Sequence, residues 1–359
     1  GASPRLVHVP RGRVVGGSSV TNATIALRGL PRHYDEWAAH ADGYNWASLF
    51  PWFRRIERDI QFGASEHHGD SGPIPINRYP REAWYPLMER FAEAALRRGH
   101  AWVDDHNAPD ALGVGPAPLN MLDGRRQTPA DHYLDPVLVL PSLELRTGVT
   151  VDRVRIASGH AVAVEAISEG GEEMAVEADH VILALGTYVS PAVLLRSGVG
   201  APEDLAPYGI RPLHELPGVG HGMQDHPKIS YRFWIDLPVP TWPSPWIQAL
   251  LTAYAEVDGE PRLFQVMPYA GVTEAGHRFT DLNVQVADAR GRRGSVGIQG
   301  RDPRLQPVLQ MGWLEADGDR EVAVAAGKEL MALARTAPLS GVLRSWPNQD
   351  DPDHVLRTV

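Results

Sequence analysis

Two glycine-rich stretches carry most of the usable chemistry in this chain, and it is the chemistry of holding a ligand against backbone. Gly16-Gly17-Ser18-Ser19 sets two residues without Cβ beside two small hydroxyls, and the Asn22 amide follows three residues on. Such a loop lets backbone N–H groups approach a flat or anionic ligand closely. Taken alone, the same four residues are also a common flexible loop. The second stretch, Gly186 to Gly200, reads GTYVSPAVLLRSGVG and follows the apolar run His180 to Leu185. That run is β-branched at Val181 and Ile182 and predicts a buried strand. Ser190 as N-cap and Pro191 at the first helical position predict a short helix over Ala192 to Arg196. A strand that runs through glycine into a helix N-terminus suits phosphate or another anion. It is equally an ordinary strand–turn–helix of an α/β sheet.

Side chains that act chemically by themselves are sparse. There is no G-x-S-x-G, no serine three positions before either lysine, no H-E-x-x-H and no P-loop pattern. Glu66-His67-His68-Gly69-Asp70 holds metal-ligand types, but adjacent side chains rarely converge on one ion, so a solvated loop is expected. Gly218-Val-Gly220 follows no predicted strand and opens no helix, which argues against a dinucleotide turn. His106, His132 and His214 are expected in loops or on the surface, with no orienting carboxylate.

The elements that must position these loops follow from composition and pattern. The 359 residues suffice for one large domain or two interleaved ones. A net charge of −10 with no basic stripe speaks against nucleic acid as a partner. With no cysteine, disulfides, thiolate metal sites and Cys nucleophiles are excluded. No apolar window is long enough for a transmembrane helix, and Gly1 to Arg5 shows no signal-peptide character, so a cytoplasmic location is expected. Helices are predicted over 46–60, 86–99 and 319–336. Strands are predicted at Leu145 to Ile156 and Ala161 to Ile167 around a Ser158-Gly159 turn, and at Arg262–Met267, Leu282–Ala287 and Ser295–Gln299. Pro238 to Pro245 reads as a proline-rich loop. The strands cluster in two places, which suggests two sheets.

Taken together, the two glycine-rich stretches resemble the paired signatures of the glucose–methanol–choline (GMC) flavin oxidoreductases. Gly12 to Asp35 resembles the first signature, and Gly186 to Gly200 matches the second. Tyr34-Asp-Glu-Trp37, Tyr44-Asn-Trp46, Thr147 to Ile156 and Gln224-Asp-His226 fit the same family in the same order, so the resemblance runs from about Pro10 to about Pro338. It implies an α/β fold: a discontinuous Rossmann-like FAD domain (1–30 and 131–226), a connecting and helical segment (31–130), a substrate domain with an antiparallel sheet (227–340), and a return toward the FAD domain (341–359).

The resemblance also implies an FAD site. Val15, Gly16, Gly17, Ser18 and Ser19, with Asn22, Ala23, Thr24 and Ile25, would line the isoalloxazine and pyrophosphate. Val151 would set its backbone against the adenine. Ala184, Gly186 and Ser190 would pack near the adenosine half. Some family members tether the flavin through a histidine where this chain has Thr21, so the FAD is expected to be non-covalent. The implied reaction is oxidation of an alcohol, with the hydroxyl proton passing to a histidine and hydride to flavin N5; reduced flavin then passes electrons to O₂ or another acceptor. The family's first G-x-G-x-x-G turn and its C-terminal catalytic histidine segment have no counterpart in the sequence, whose end, Asp353 to Val359, resembles the run-up to the latter. His226, between Asp225 and Pro227, is the one internal candidate for the base, although a structural role is favoured for it. The alternatives are an incomplete chain that takes the missing segments from a partner chain, and lyase chemistry on the same scaffold. His68 to Pro75 and Gly113 to Asn120 resemble the branch associated with mycofactocin systems.

Overall fold

Apolar–polar alternation with a period of two builds the larger sheet. In the strand Lys228–Ile235, the side chains of Ile229, Tyr231, Phe233 and Ile235 are buried while Lys228 and Ser230 are exposed, as one face of a pleated strand requires. The computed structural model describes residues 9–241, 245–288, 294–316 and 318–344. Gly1 to Arg5, expected not to be a leader, the centre of the Pro238 to Pro245 loop and the C-terminal run-up at Asp353 to Val359 lie outside them.

The chain divides into two compact units. The first comprises Gly1–Glu144, Lys228–Ala287 and Val322–Val359; the second comprises Leu145–Pro227 and Asp288–Glu321. The first unit is built on a six-stranded antiparallel sheet in the order Leu343–Arg344, Lys228–Ile235, Arg278–Val286, Glu260–Val272, Ala249–Val257, Gly113–Pro116. Asp258 and Gly259 close the hairpin between the fourth and fifth strands with φ of 54° and 78°, the left-handed pair that matches strand twist. The helix Pro86–Arg97 packs on this sheet through Leu87, Met88, Phe91, Ala92, Ala94 and Ala95, with proline at its first turn as predicted. A core of Ala117, Leu119, Met121, Ile247, Leu250 and Met267 lies beside it, and Ile25, Leu27 and Tyr79 pack against that core.

The second unit holds the three-stranded antiparallel sheet Val149–Ala157, His160–Ser168, Glu173–Glu177 and a smaller one, His221–Met223, Gly294–Gly297, Val308–Gln310. The Ser158-Gly159 turn forms where predicted. Its strand starts at Val149 rather than Leu145, because Gly148 takes φ 67° and breaks the extended run. The helix Gly186–Arg196 closes over a core of Ala192, Leu195, Val199, Leu205, Val219 and Ile298. The fold is mixed α/β with the expected antiparallel sheet. Among the described residues, parallel pairing is limited to Glu57–Asp59 with Ile74–Ile76, Val199–Gly200 with His214–Glu215 and a single bridge between Trp102 and Val114.

Two expectations at the second glycine stretch are corrected. His180 to Leu185 is not a strand: it is unpaired, and Ile182 is 89% exposed. A run of apolar, β-branched residues favours extended backbone, but a strand also needs a neighbour, and no described segment lies alongside to pair with it. The helix starts at Gly186, five residues before Pro191, the predicted first helical position, and Leu185 takes the N-cap position with no side-chain cap. Ser190 therefore lies in the second turn, and Pro191 sits inside the helix at the expense of one backbone hydrogen bond.

Candidate functional site

The Gly16 loop is held by its own small side chains. Gly16 and Gly17 both take left-handed φ, 91° and 58°, and the chain then makes one 3₁₀ turn over Gly17–Val20. The Ser19 hydroxyl donates to the Gly16 carbonyl at 2.6 Å, and the Asn22 N–H donates to the Ser18 carbonyl at 3.0 Å. A Cβ on Gly16 would meet Val20 at 2.8 Å, so that position is closed to other residues. A Cβ on Gly17 would meet nothing within 4 Å: this glycine borders open space. Val15, Ser18, Asn22 and Ala23 are exposed, while Ser19 and Ile25 are half-buried. Thr24 is buried and takes φ 63°, held by its N–H on Asn22 Oδ1 at 2.9 Å.

Arg126 carries no motif in the sequence, yet its guanidinium clamps this loop. It donates to the Asn22 carbonyl at 2.6 Å, to Ser19 O at 3.2 Å and to the Asn22 side-chain oxygen. Burial pushes its pKa down.

In the second unit, Val151 is half-buried at the edge of the Arg196 contacts: the Arg196 guanidinium donates to Asp152 O at 2.8 Å and reaches Val151 O at 3.5 Å. Ala184 and Gly186 are exposed, and Ser190 is half-buried. Gly186 opens its helix with φ 80°, and a Cβ there would meet nothing within 4 Å. An uncapped helix N-terminus that begins at an exposed glycine is a physical fit for an anionic group. Val15 to Ile25 thus lie in the first unit, and Val151, Ala184, Gly186 and Ser190 in the second. Open space lies beside Gly17 in the first set and beside Gly186 in the second. His226 is exposed, and its N–H donates to the Asp225 side chain at 2.9 Å. Thr21 is exposed as well.

The Glu66 to Asp70 segment departs from the expected solvated loop. Glu66 is 86% exposed, but His68 is fully buried in an ion cluster. His68 Nδ1 lies 3.0 Å from Glu57 Oε1 and 3.0 Å from Asp59 Oδ2, and Nε2 lies 2.8 Å from Asp105 Oδ2. Arg78 donates to Asp59 at 2.8 Å and to Asp105 at 2.6 Å, and Arg28 pairs with Glu57. The sequence hides this because the partners come from Glu57, Asp59 and Asp105, far along the chain. His106, expected in a surface loop, is 6% exposed, and burial pulls its pKa down to about 4 so that it stays neutral. His132 is half-buried against Gln127, and His214 is exposed.

Burial opposes the charged form of His68, but hydrogen bonds to Asp105, Asp59 and Glu57 outweigh it and push the ring up to about 10. Burial likewise pushes Asp59 up, but His68 and Arg78 together hold it down at about 2. The sign of the linkage follows. The stabilisation from His68 is complete below its unfolded value of 6.5 and is lost as pH rises toward about 10. That from Asp59 is present above 3.8 and is lost as pH falls toward about 2. Urea unfolding midpoints are therefore expected to decline between pH 7 and 10, and His68→Gln is expected to flatten that decline; an equal slope in both proteins would contradict the assignment.

Comparison with known proteins agrees with the glycine loops. The family model described as GMC oxidoreductase matches residues 2–228. An uncharacterized GMC-type oxidoreductase from Rhodococcus erythropolis is 32% identical over 92% of this chain and 64% of its own length. Mitochondrial choline dehydrogenase from Mus musculus is 30% identical over 95% of this chain and 62% of its own length. The chain thus spans less than two thirds of each of these relatives. The crystal structure of pyridoxine 4-oxidase from Mesorbium loti superposes with a TM-score of 0.85 at 27% identity, covering 96% of this chain and 70% of that one. Members of this group are FAD-dependent flavoproteins acting as alcohol oxidoreductases. With its signature loops in place and matches of this extent, the chain belongs to the GMC oxidoreductase family.

Proposed function

We propose that this chain supplies non-covalent FAD contacts in an oxidoreductase acting on the CH–OH group of an alcohol. The observation that carries the reading is the Gly16 to Asn22 loop, left-handed at two glycines, open beside Gly17 and clamped by Arg126 at Ser19 and Asn22. Val15 to Ser19 and Asn22 to Ile25 would hold the flavin and pyrophosphate. Val151, Ala184, Gly186 and Ser190 would hold the adenosine half. When bound, the flavin supplies the hydride acceptor. The protein's part is to bind, orient and exclude water. The Gly186–Arg196 helix offers uncapped N–H groups to an anion, and Arg126 fixes the loop so that its backbone donors do not have to be ordered on binding. Thr21 has no group able to tether the cofactor.

The test is anaerobic addition of small alcohols to the FAD-loaded protein. Bleaching of the flavin band near about 450 nm supports alcohol oxidation; an intact band with every primary and secondary alcohol tried, alongside a cleaved substrate, would favour lyase chemistry. A second reading is favoured by the unpaired apolar run at Val181 to Leu185, where Ile182 is 89% exposed. Such a run is suited to pairing with a further segment, on the same longer polypeptide or on a partner chain, and activity would then require that segment.

A further inference from the structure

Glu57, Asp59 and His68 place one potential ligand atom each within 4.8 Å of one another, the spacing of a divalent-cation site. The hydrogen bonding argues for a different centre. Both nitrogens of His68 face carboxylates, Nδ1 toward Glu57 and Asp59 and Nε2 toward Asp105, so both are occupied as donors. Three carboxylates are then balanced by one imidazolium and the guanidiniums of Arg28 and Arg78, which leaves no net negative charge to attract a metal. All six side chains are nearly or fully buried, Asp105 at 12% being the most exposed.

The two arms of His68 lead to one segment. Through Glu57 the network reaches the Arg28 guanidinium, which also donates to the His67 carbonyl at 2.7 Å. Through Asp105, whose Oδ1 accepts the Asn107 N–H at 3.0 Å, it reaches Asn107. The Asn107 side chain then accepts the Arg28 backbone N–H at 2.9 Å and donates to the Ala26 carbonyl at 2.9 Å. Ala26 also donates to Pro118 O at 2.9 Å, and Asn120 N–H donates to Thr24 O at 2.9 Å. The stretch from Asn22 to Arg28 is thus gripped at its far end by the His68 network and at its near end by Arg126.

We propose that His68 is a positioning residue: its ring, standing where a metal ion would, locks Glu57 and Asp105 on Arg28 and Asn107 and so fixes the backbone of residues 22–28. That those residues face the flavin rests on the proposed function; that His68 orders them does not.

The experiment is hydrogen–deuterium exchange of the purified chain without added FAD, comparing wild type, His68→Gln and Leu330→Ala. Leu330 is fully buried in the helix Asp319–Arg335 and has no polar group to join the network, so its variant controls for general destabilisation. We expect at least about tenfold faster exchange in the 22–28 peptide for His68→Gln and little local change for Leu330→Ala. Equal protection in wild type and His68→Gln, or equal loss in both variants, overturns the proposal. Zinc or magnesium added after EDTA is expected to leave the wild-type thermal midpoint unchanged; stabilisation by either overturns the ring as the network's centre. FAD titration of the same samples separates the two readings: if wild type binds no FAD while the exchange pattern holds, the flavin reading fails and the positioning role stands. If FAD binds and His68→Gln binds it at least about tenfold more weakly than Leu330→Ala does, both stand.

Discussion

Asp59→Ala is expected to destabilise the protein by about 3–5 kcal/mol, the cost of removing one partner from a buried ion pair. Asp59 accepts from Arg78 at 3.0 and 2.8 Å and from the backbone N–H groups of Gln61 and Phe62, and it faces His68 Nδ1 at 3.0 Å. Its side chain is fully buried. Without the carboxylate, Arg28, Arg78 and His68 keep three positive charges against Glu57 and Asp105 alone, and one positive charge stays uncompensated in a buried place. Against a typical total stability of about 5–15 kcal/mol, that loss is large. Urea unfolding followed by tryptophan fluorescence checks it; a loss under about 1 kcal/mol would mean that the cluster is far better solvated than its burial indicates.

Gly69→Ala is expected to be at least as damaging, through space rather than charge. A Cβ at Gly69 would lie 1.8 Å from the Arg54 carbonyl oxygen and 2.9 Å from that of Glu57. Neither is the far end of a flexible side chain, so relief requires the last turn of the helix Trp46–Ile56, and the strand Glu57–Asp59 that follows it, to move off the His68 loop. Overpacking costs typically reach about 3 kcal/mol, and a backbone collision falls at or beyond that end. The same movement would pull Glu57 Oε1 from the Gly69 N–H, now 3.0 Å away, and from His68. The thermal midpoint of Gly69→Ala should fall well below that of Gly17→Ala. Gly17 borders open space and carries only the cost of a left-handed φ. Equal midpoints would show that the Gly69 site can relax.

What was legible in the sequence is what depends on near neighbours. The Ser158-Gly159 turn and Pro86 at a helix start are local signals, and each formed where its pattern placed it. The alternation in Lys228–Ile235 is equally local, although no strand was expected there. The Gly16 loop was legible as a glycine turn for the same reason, since Ser19 closes on Gly16 three residues back; its Arg126 clamp, from more than a hundred residues on, was not. Features that depend on distant partners were not. Val181 to Leu185 carries the composition of a buried strand, but composition does not supply the neighbour that would bury it. Ser190-Pro191 has the pattern of a helix start, yet the helix begins earlier because Gly186 can take the left-handed turn into it. His68 looked like one member of a polar solvated loop, and of its neighbours Glu66 is exposed and His67 half-buried. Only Asp105, 37 residues away, and the strand Glu57–Asp59 turn it into a buried ion centre.

Whether the Gly16 loop of this chain takes part in holding FAD is decided by equilibrium titration of the purified chain with FAD, followed by flavin fluorescence and by the flavin absorption near about 450 nm. Saturable binding that is lost on denaturation is expected, with all flavin released as free FAD. Gly17→Val, which fills the open side of the loop, is expected to weaken the affinity at least about tenfold. A folded chain that leaves FAD fluorescence unchanged, or binding to which Gly17→Val makes no difference, would contradict a flavin-holding role for the loop.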